Sequence, residues 1–410
     1  MNSILRVRLS SLMFFEFFIW GCWLVPMWKY LYKIKFTDIQ VASAYSTYAI
    51  AAMISPFFVG MVADRFFSAE KVLAFLHVAS GFFLFYLAGV TDPDLFFWVL
   101  LGHTLCYMPT LALANSLSFD HVSDPEKDFP SIRVLGTIGW IASGFAIAYA
   151  PESLTGHASI ADTPIPFQMA GAVSIALGLF CLTLPHTPPK SKGKEVSVSD
   201  VLGLKALGLM KEPSFAVFVI GSFLICIPLA FYYQSANGYV ATMGLEESEA
   251  KMAYGQISEI LFMLLMPWFF IRLGVKKMLL FGMACWVLRY ALFAYAGDQT
   301  AALLAAIILH GICYDFFFLT GQLYVDRKAP LEIRASAQGF IAFVTLGAGL
   351  YVGTMVNGFV KDHYTTDAGV TDWTAVWQAP ALMAAAVLVV FFFAFKEPED
   401  GKDGADEKTA

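Results

Sequence analysis

Long apolar runs alternate along the chain with short polar breaks that carry charges, prolines and glycines. A helix needs about 20 mostly apolar residues to cross the hydrocarbon core of a bilayer. By that criterion the pattern predicts spans near 8–31, 41–63, 71–90, 94–118, 131–150 and 166–185. After a gap the runs resume near 213–240, 250–272, 277–296, 300–325, 334–360 and 374–396. The first run shows no small-residue cleavage site behind a short apolar core, so it reads as a retained span and not as a signal peptide. The gap at 187–212 is the only long polar segment inside the chain, and it divides the spans six and six. The expected architecture is an all-α membrane protein of about twelve transmembrane helices. Its parts are a first half at 1–186, a linker loop at 187–212, a second half at 213–397 and a polar, disordered tail at 398–410.

Composition sharpens this reading. Of 410 residues, 58% are hydrophobic and 14% are charged, against roughly 25% charged in soluble domains. Too little charge remains to cover a water-facing surface, which excludes a soluble enzyme and a disordered chain. The net charge of −6, with no basic run long enough to track phosphates, excludes a nucleic-acid binder. Cys22, Cys106, Cys181, Cys226, Cys285 and Cys313 lie singly in apolar stretches, without metal or disulfide spacing, and no cofactor or metal is expected.

Lys and Arg set the orientation. Arg6, Arg8, Lys71, Lys127, Lys190, Lys192, Lys194, Arg272, Lys276, Lys277, Arg327 and Lys328 all fall on one side, and the other side holds Lys29, Lys33, Lys35, Lys251 and Lys361. By the positive-inside rule both termini and the central loop are cytoplasmic. Two six-span halves joined by a basic loop suggest a transporter with its solute site between the halves at mid-membrane. The loop after span 2 reads Gly60-Met-Val-Ala-Asp64-Arg65 and resembles the Gly-x-x-x-Asp-Arg loop of the major facilitator superfamily, without that motif's second glycine. Gly60, Asp64 and Arg65 would then form a conformational latch at the cytoplasmic face.

Ionisable residues inside spans are costly and are functional candidates by default. Glu259, Arg289 and Asp315 reach similar depth on neighbouring spans 8, 9 and 10, counting about 1.5 Å per residue. Arg289 can neutralise one carboxylate, and equal depth suggests Asp315 as its partner. The other carboxylate must find donors or hold a proton, which suits proton coupling. A fixed charge network joining spans 8 to 10 is the alternative. Gln256 and Glu259 share a helix face, as do Arg133, Thr137 and Trp140 on span 5. Span 7 ends in Tyr233 and Gln234, followed by Asn237, and span 10 carries His310, Tyr314 and Phe318 on one face. Aromatic faces among Gln, Asn and Glu suit a flat heterocycle bearing hydroxyls. Glu16 on span 1 is either a further protonation site or a carboxylate that snorkels or bonds a neighbouring helix.

Several longer stretches are similar to one family, the nucleoside:proton symporters of the major facilitator superfamily. They include Tyr107-Met-Pro-Thr-Leu111, the run from Asp128 through Arg133 and Thr137 to Trp140, Gln256-Ile-Ser-Glu259, the run from Trp286 to Tyr295, Tyr314-Asp315-Phe-Phe, and Ile333-Arg-Ala-Ser-Ala-Gln338-Gly. The resemblance covers nearly the whole chain. It implies a solute pocket of Arg133, Thr137, Trp140, Gln256, Glu259, Tyr314 and Asp315, and proton symport that imports nucleosides across a bacterial inner membrane. His310 stands where the family often has Tyr, Phe318 where an Asn often follows, and Glu16 where Gln is found. On span 7 the family's Gln and Asn align with Ala230 and Tyr233, with Gln234 and Asn237 displaced. The expected partners are a nucleoside or related solute, protons and lipid, with the protein a monomer. A proton-coupled carrier of a sugar or nucleoside-like metabolite is the second reading. A membrane enzyme or receptor would need a catalytic constellation or a soluble domain, and neither is visible.

Overall fold

Inside a bilayer every backbone N–H and C=O must be satisfied within the protein, which leaves the helix as the natural spanning element for this chain. The computed structural model describes residues 3–58, 66–122, 125–189, 204–330 and 333–396. Among them the β pairing is a single antiparallel bridge, Thr365 to Thr371. The helices are α1 (Ser3–Lys33), α2 (Asp38–Phe58), α3 (Ala69–Leu87), α4 (Pro93–His121), α5 (Pro125–Ala148) and α6 (Ile165–Cys181). They continue as α7 (Pro213–Thr242), α8 (248–273), α9 (275–295), α10 (Thr300–Lys328), α11 (Ser336–His363) and α12 (Trp373–Ala394). Among the described residues nine helices are long and apolar enough to cross a membrane, the stretch Ser248–Tyr295 being counted once. Gly274, at φ 69°, breaks that stretch into α8 and α9, a backbone angle that only glycine adopts freely. With α2 and the shorter α6, the chain presents the expected succession of spans.

Prolines shape the helices without ending them. Pro26 interrupts α1 between Leu24 and Met27, while Pro109, Pro228, Pro267 and Pro380 sit inside α4, α7, α8 and α12. Each removes a helix hydrogen bond and permits a kink. Phe75, Phe82 and Phe393 point outward, where only lipid could cover them, whereas Trp23, Trp286 and Trp377 fill the interior.

In the first half α1 packs on α5 and α6, and α3 on α4 and α6; in the second, α7 packs on α11 and α12. The halves meet along two seams, α2 with α11 and α5 with α8. Gly144 on α5 shows how close the second seam is, since a Cβ there would lie 2.7 Å from the backbone oxygen of Glu249. On the face opposite the termini the halves are pinned by two ion pairs. Lys29 Nζ lies 2.7 Å from Glu249 Oε1, and Lys361 Nζ lies 2.6 Å from Asp38 Oδ1.

Candidate solute cavity between the halves

A cavity of about 340 Å³ lies between the halves, within the roughly 300–1,000 Å³ range of small-molecule sites. The first half supplies Phe17, Trp20 and Leu24 from α1, Tyr48 from α2, Met108, Leu111 and Asn115 from α4, and Arg133, Thr137 and Trp140 from α5. The second half supplies Tyr233 from α7, Gln256 and Glu259 from α8, His310, Tyr314 and Gln322 from α10, and Leu346 and Leu350 from α11. The stripe spacing on α5 therefore does set Arg133, Thr137 and Trp140 side by side on one wall.

The walls have distinct characters. Trp20 and Trp140 meet edge to face at 5.5 Å, and Arg133 lies over the Phe17 ring at 4.2 Å. This stacking holds the guanidinium by its flat face and leaves its edges free to donate. Across the cavity stand Gln256, Glu259 and Tyr314, and the charges of Arg133 and Glu259 act on one another between the halves. An apolar aromatic slab thus faces a row of donors and acceptors.

Six of the described candidate residues do not line this cavity. Asn237 Nδ2 donates to the backbone oxygen of Val25 and to Glu249 Oε1, both at 3.0 Å, so it belongs to the ion pair that pins the halves. Gln234, one residue beyond the wall residue Tyr233, is buried away from the cavity. Phe318 packs on Trp286 and Tyr314 and lines a side chamber of about 70 Å³. Its displacement has a local cause. Asp315–Leu319 is a π-helical turn, which inserts extra backbone and shifts the face that 3.6-residue periodicity predicts. Gln322 takes up the cavity face beyond it.

Glu16 is fully buried inside the first half, where Oε2 meets His77 Nε2 at 2.9 Å and Oε1 accepts from Thr110 at 2.5 Å. It bonds neighbouring helices, one of the two alternatives its sequence position allowed. Asp315 is buried beside the cavity without lining it, and Oδ2 has no hydrogen-bond partner among the described residues. Its expected pairing with Arg289 is not formed. The charge acting on Asp315 is that of Glu259, whereas Arg289 lies over the Tyr232 ring at 3.3 Å and donates to His310 Nδ1 at 3.3 Å. Depth alone suggested the pair, but Asp315 lies five positions on from His310, roughly 140° around a helix. Arg289 faces one and so turns away from the other. Gly60, Asp64 and Arg65 lie outside the described residues.

Residues 2–400 match the family described as Nucleoside H+ symporter. The chain belongs to that family. It is 43% identical over 402 residues to the putative nucleoside transporter YegT of Escherichia coli, covering 96% of this chain and 94% of that protein. It is 35% identical to the nucleoside permease NupG of E. coli, covering 95% of each. The crystal structure of the nucleoside transporter NupG superposes with a TM-score of 0.85 at 34% identity, over 97% of this chain and all of that one. This member of the family is thus a multi-pass membrane transporter with the major facilitator fold, and not an enzyme.

Sequence reasoning missed several wall residues. Asn115 carried a signal, a lone amide four and seven residues along from the wall positions Leu111 and Met108. Gln322 lay on the extension of the His310–Tyr314 row, past the π turn. Tyr48 and Phe17 carried none, because aromatics in so Phe-rich a chain are usually packing residues.

Proposed function

We propose that this symporter imports nucleosides with protons, the central cavity opening alternately to each side as the halves 1–186 and 213–397 rock about it. The observation that carries the reading is the pairing of a Trp-lined wall with a facing row of Gln256, Glu259 and Tyr314. A nucleoside needs both surfaces: a flat base to stack and ribose hydroxyls to bond. Arg133 and Thr137 contribute donors from the first half, so a bound solute would bridge the two bodies that must move.

Glu259 is the proton-carrying carboxylate of this reading, because it alone among the mid-membrane carboxylates lines the cavity. Its like charge acts on Asp315, so a proton on either relieves their repulsion. The basic residues at the linker and at the ends of α8 and α10 orient both termini toward the cytoplasm of a bacterial inner membrane. The transporter works as a monomer, since its cavity is complete within one chain.

Uptake of labelled uridine into cells or vesicles tests the proposal. Uptake should rise as outside pH falls, collapse with a protonophore and be displaced by other nucleosides. Displacement by sugars but not by nucleosides would replace the solute class, and indifference to both pH and protonophore would make it a uniporter.

A further inference from the structure

We infer that Arg289 is a positioning residue for Glu259, acting through His310, whose ring it locks as a one-way hydrogen-bond donor toward the cavity. Arg289 is fully buried, and its guanidinium only donates. Nη1 lies 3.3 Å from His310 Nδ1, so Nδ1 must be the accepting nitrogen of the imidazole. The ring's single proton then sits on Nε2, and Nε2 faces Glu259 Oε2 at 3.9 Å. That gap exceeds a hydrogen bond and leaves room for the pair to tighten when the cavity closes on a solute.

The site is built to hold this arrangement. Tyr232 on α7 stacks against the His310 ring at 5.0 Å with planes 19° apart, and Arg289 lies over the same tyrosine. A planar guanidinium can stack and donate at once, which lysine cannot. The groups facing His310 are Arg289 from α9, Glu259 from α8, Tyr232 and Tyr233 from α7, and Tyr314 on its own helix. Asp315 and, across the cavity, Arg133 act in turn on Glu259.

A histidine that relays protons must accept at one nitrogen and release at the other. Here the accepting nitrogen is occupied, so His310 orients the Glu259 carboxylate and does not relay its proton. The proton moves between Glu259 and the water or solute in the cavity. This inference rests on Glu259 as the proton-carrying group. Glu259→Gln tests that separately, since acid-stimulated uptake in that variant would fail the proton assignment whatever His310 does.

The experiment compares uridine KM and the pH profile of uptake in four variants. His310→Gln places an amide nitrogen near Nε2 and cannot titrate; it should raise KM by no more than about tenfold and keep the acid stimulation. His310→Asn places its amide near Nδ1, out of reach of Glu259, and should raise KM further with a flattened profile. Arg289→Met removes the donor that fixes the tautomer, so Nδ1 can carry the ring proton and Nε2 no longer has to donate toward Glu259. It should raise KM and flatten the profile as His310→Asn does. Arg289→Met with His310→Gln should return to the His310→Gln behaviour, because the amide donates without help from the guanidinium. Loss of acid stimulation in His310→Gln would make the histidine a relay and overturn the inference. So would identical behaviour of the Gln and Asn variants, or a wild-type profile in Arg289→Met. Should Arg289→Met fail to reach the membrane, the Gln and Asn pair decides alone.

Discussion

Lys361 on α11 reaches across the seam to Asp38 on α2, Nζ to Oδ1 2.6 Å, with both side chains more than nine-tenths buried. Tyr32 donates its hydroxyl to the same carboxylate, and the ammonium lies 4.4 Å from the Tyr32 ring centroid. The pair joins the two halves of a symporter at the face opposite the termini, so opening that face must break it. Removing one partner of a buried pair strands a charge at a cost of about 3–5 kcal/mol. Asp38→Asn or Lys361→Met should therefore lower the unfolding temperature of the purified protein in detergent. The double variant should recover most of the loss, and a double variant as unstable as the worse single one would refute the pairing.

Asn237 separates gating from binding. Its amide braces Glu249 against Val25 at the second pin and does not line the cavity. Asn237→Ala should change the maximal uptake rate while leaving the nucleoside KM within about twofold, an energy shift below the 0.5–1.5 kcal/mol of a solute hydrogen bond. A large rise in KM at unchanged rate would return Asn237 to the solute site.

The cavity wall should behave in the opposite way. Gln256→Ala should weaken nucleoside binding by about 0.5–1.5 kcal/mol and Arg133→Gln by about 1.5–3 kcal/mol, with expression and unfolding temperature near wild type. Isothermal titration of both purified variants checks this. Wild-type affinity in both would remove the α5 and α8 faces from the site.

Glu16 and His77 form a buried pair within the first half, braced by Thr110. Glu16→Gln keeps the shape and removes the charge, so it should destabilise the fold yet leave uptake stimulated by acid. If protonophore sensitivity disappears while the protein remains folded, Glu16 carries a proton after all.

The spans themselves were legible along the chain because a bilayer imposes a length and polarity rule on each run independently of the others. The break between α8 and α9 could be placed between Arg272 and Lys276, and the fold supplies Gly274 as the hinge. The face shared by Arg133, Thr137 and Trp140 and the face shared by Gln256 and Glu259 were equally readable. Each lies on one helix, where spacing alone fixes direction.

Relations between helices were not readable in this way. Arg289 and Asp315 have equal depth, yet depth omits rotation about the helix axis, and the packing of Tyr232 turned Arg289 toward His310. Phe318 left its stripe because a π turn, invisible to 3.6-residue counting, altered the phase of α10. Asn237 looked like a solute ligand until α1 and α8 closed around it. The linear pattern determined the number, length and amphipathic faces of the helices, since these follow from local periodicity and the solvent. Only tertiary packing decided which buried charges meet, because that depends on axial rotation and on contacts between residues hundreds of positions apart.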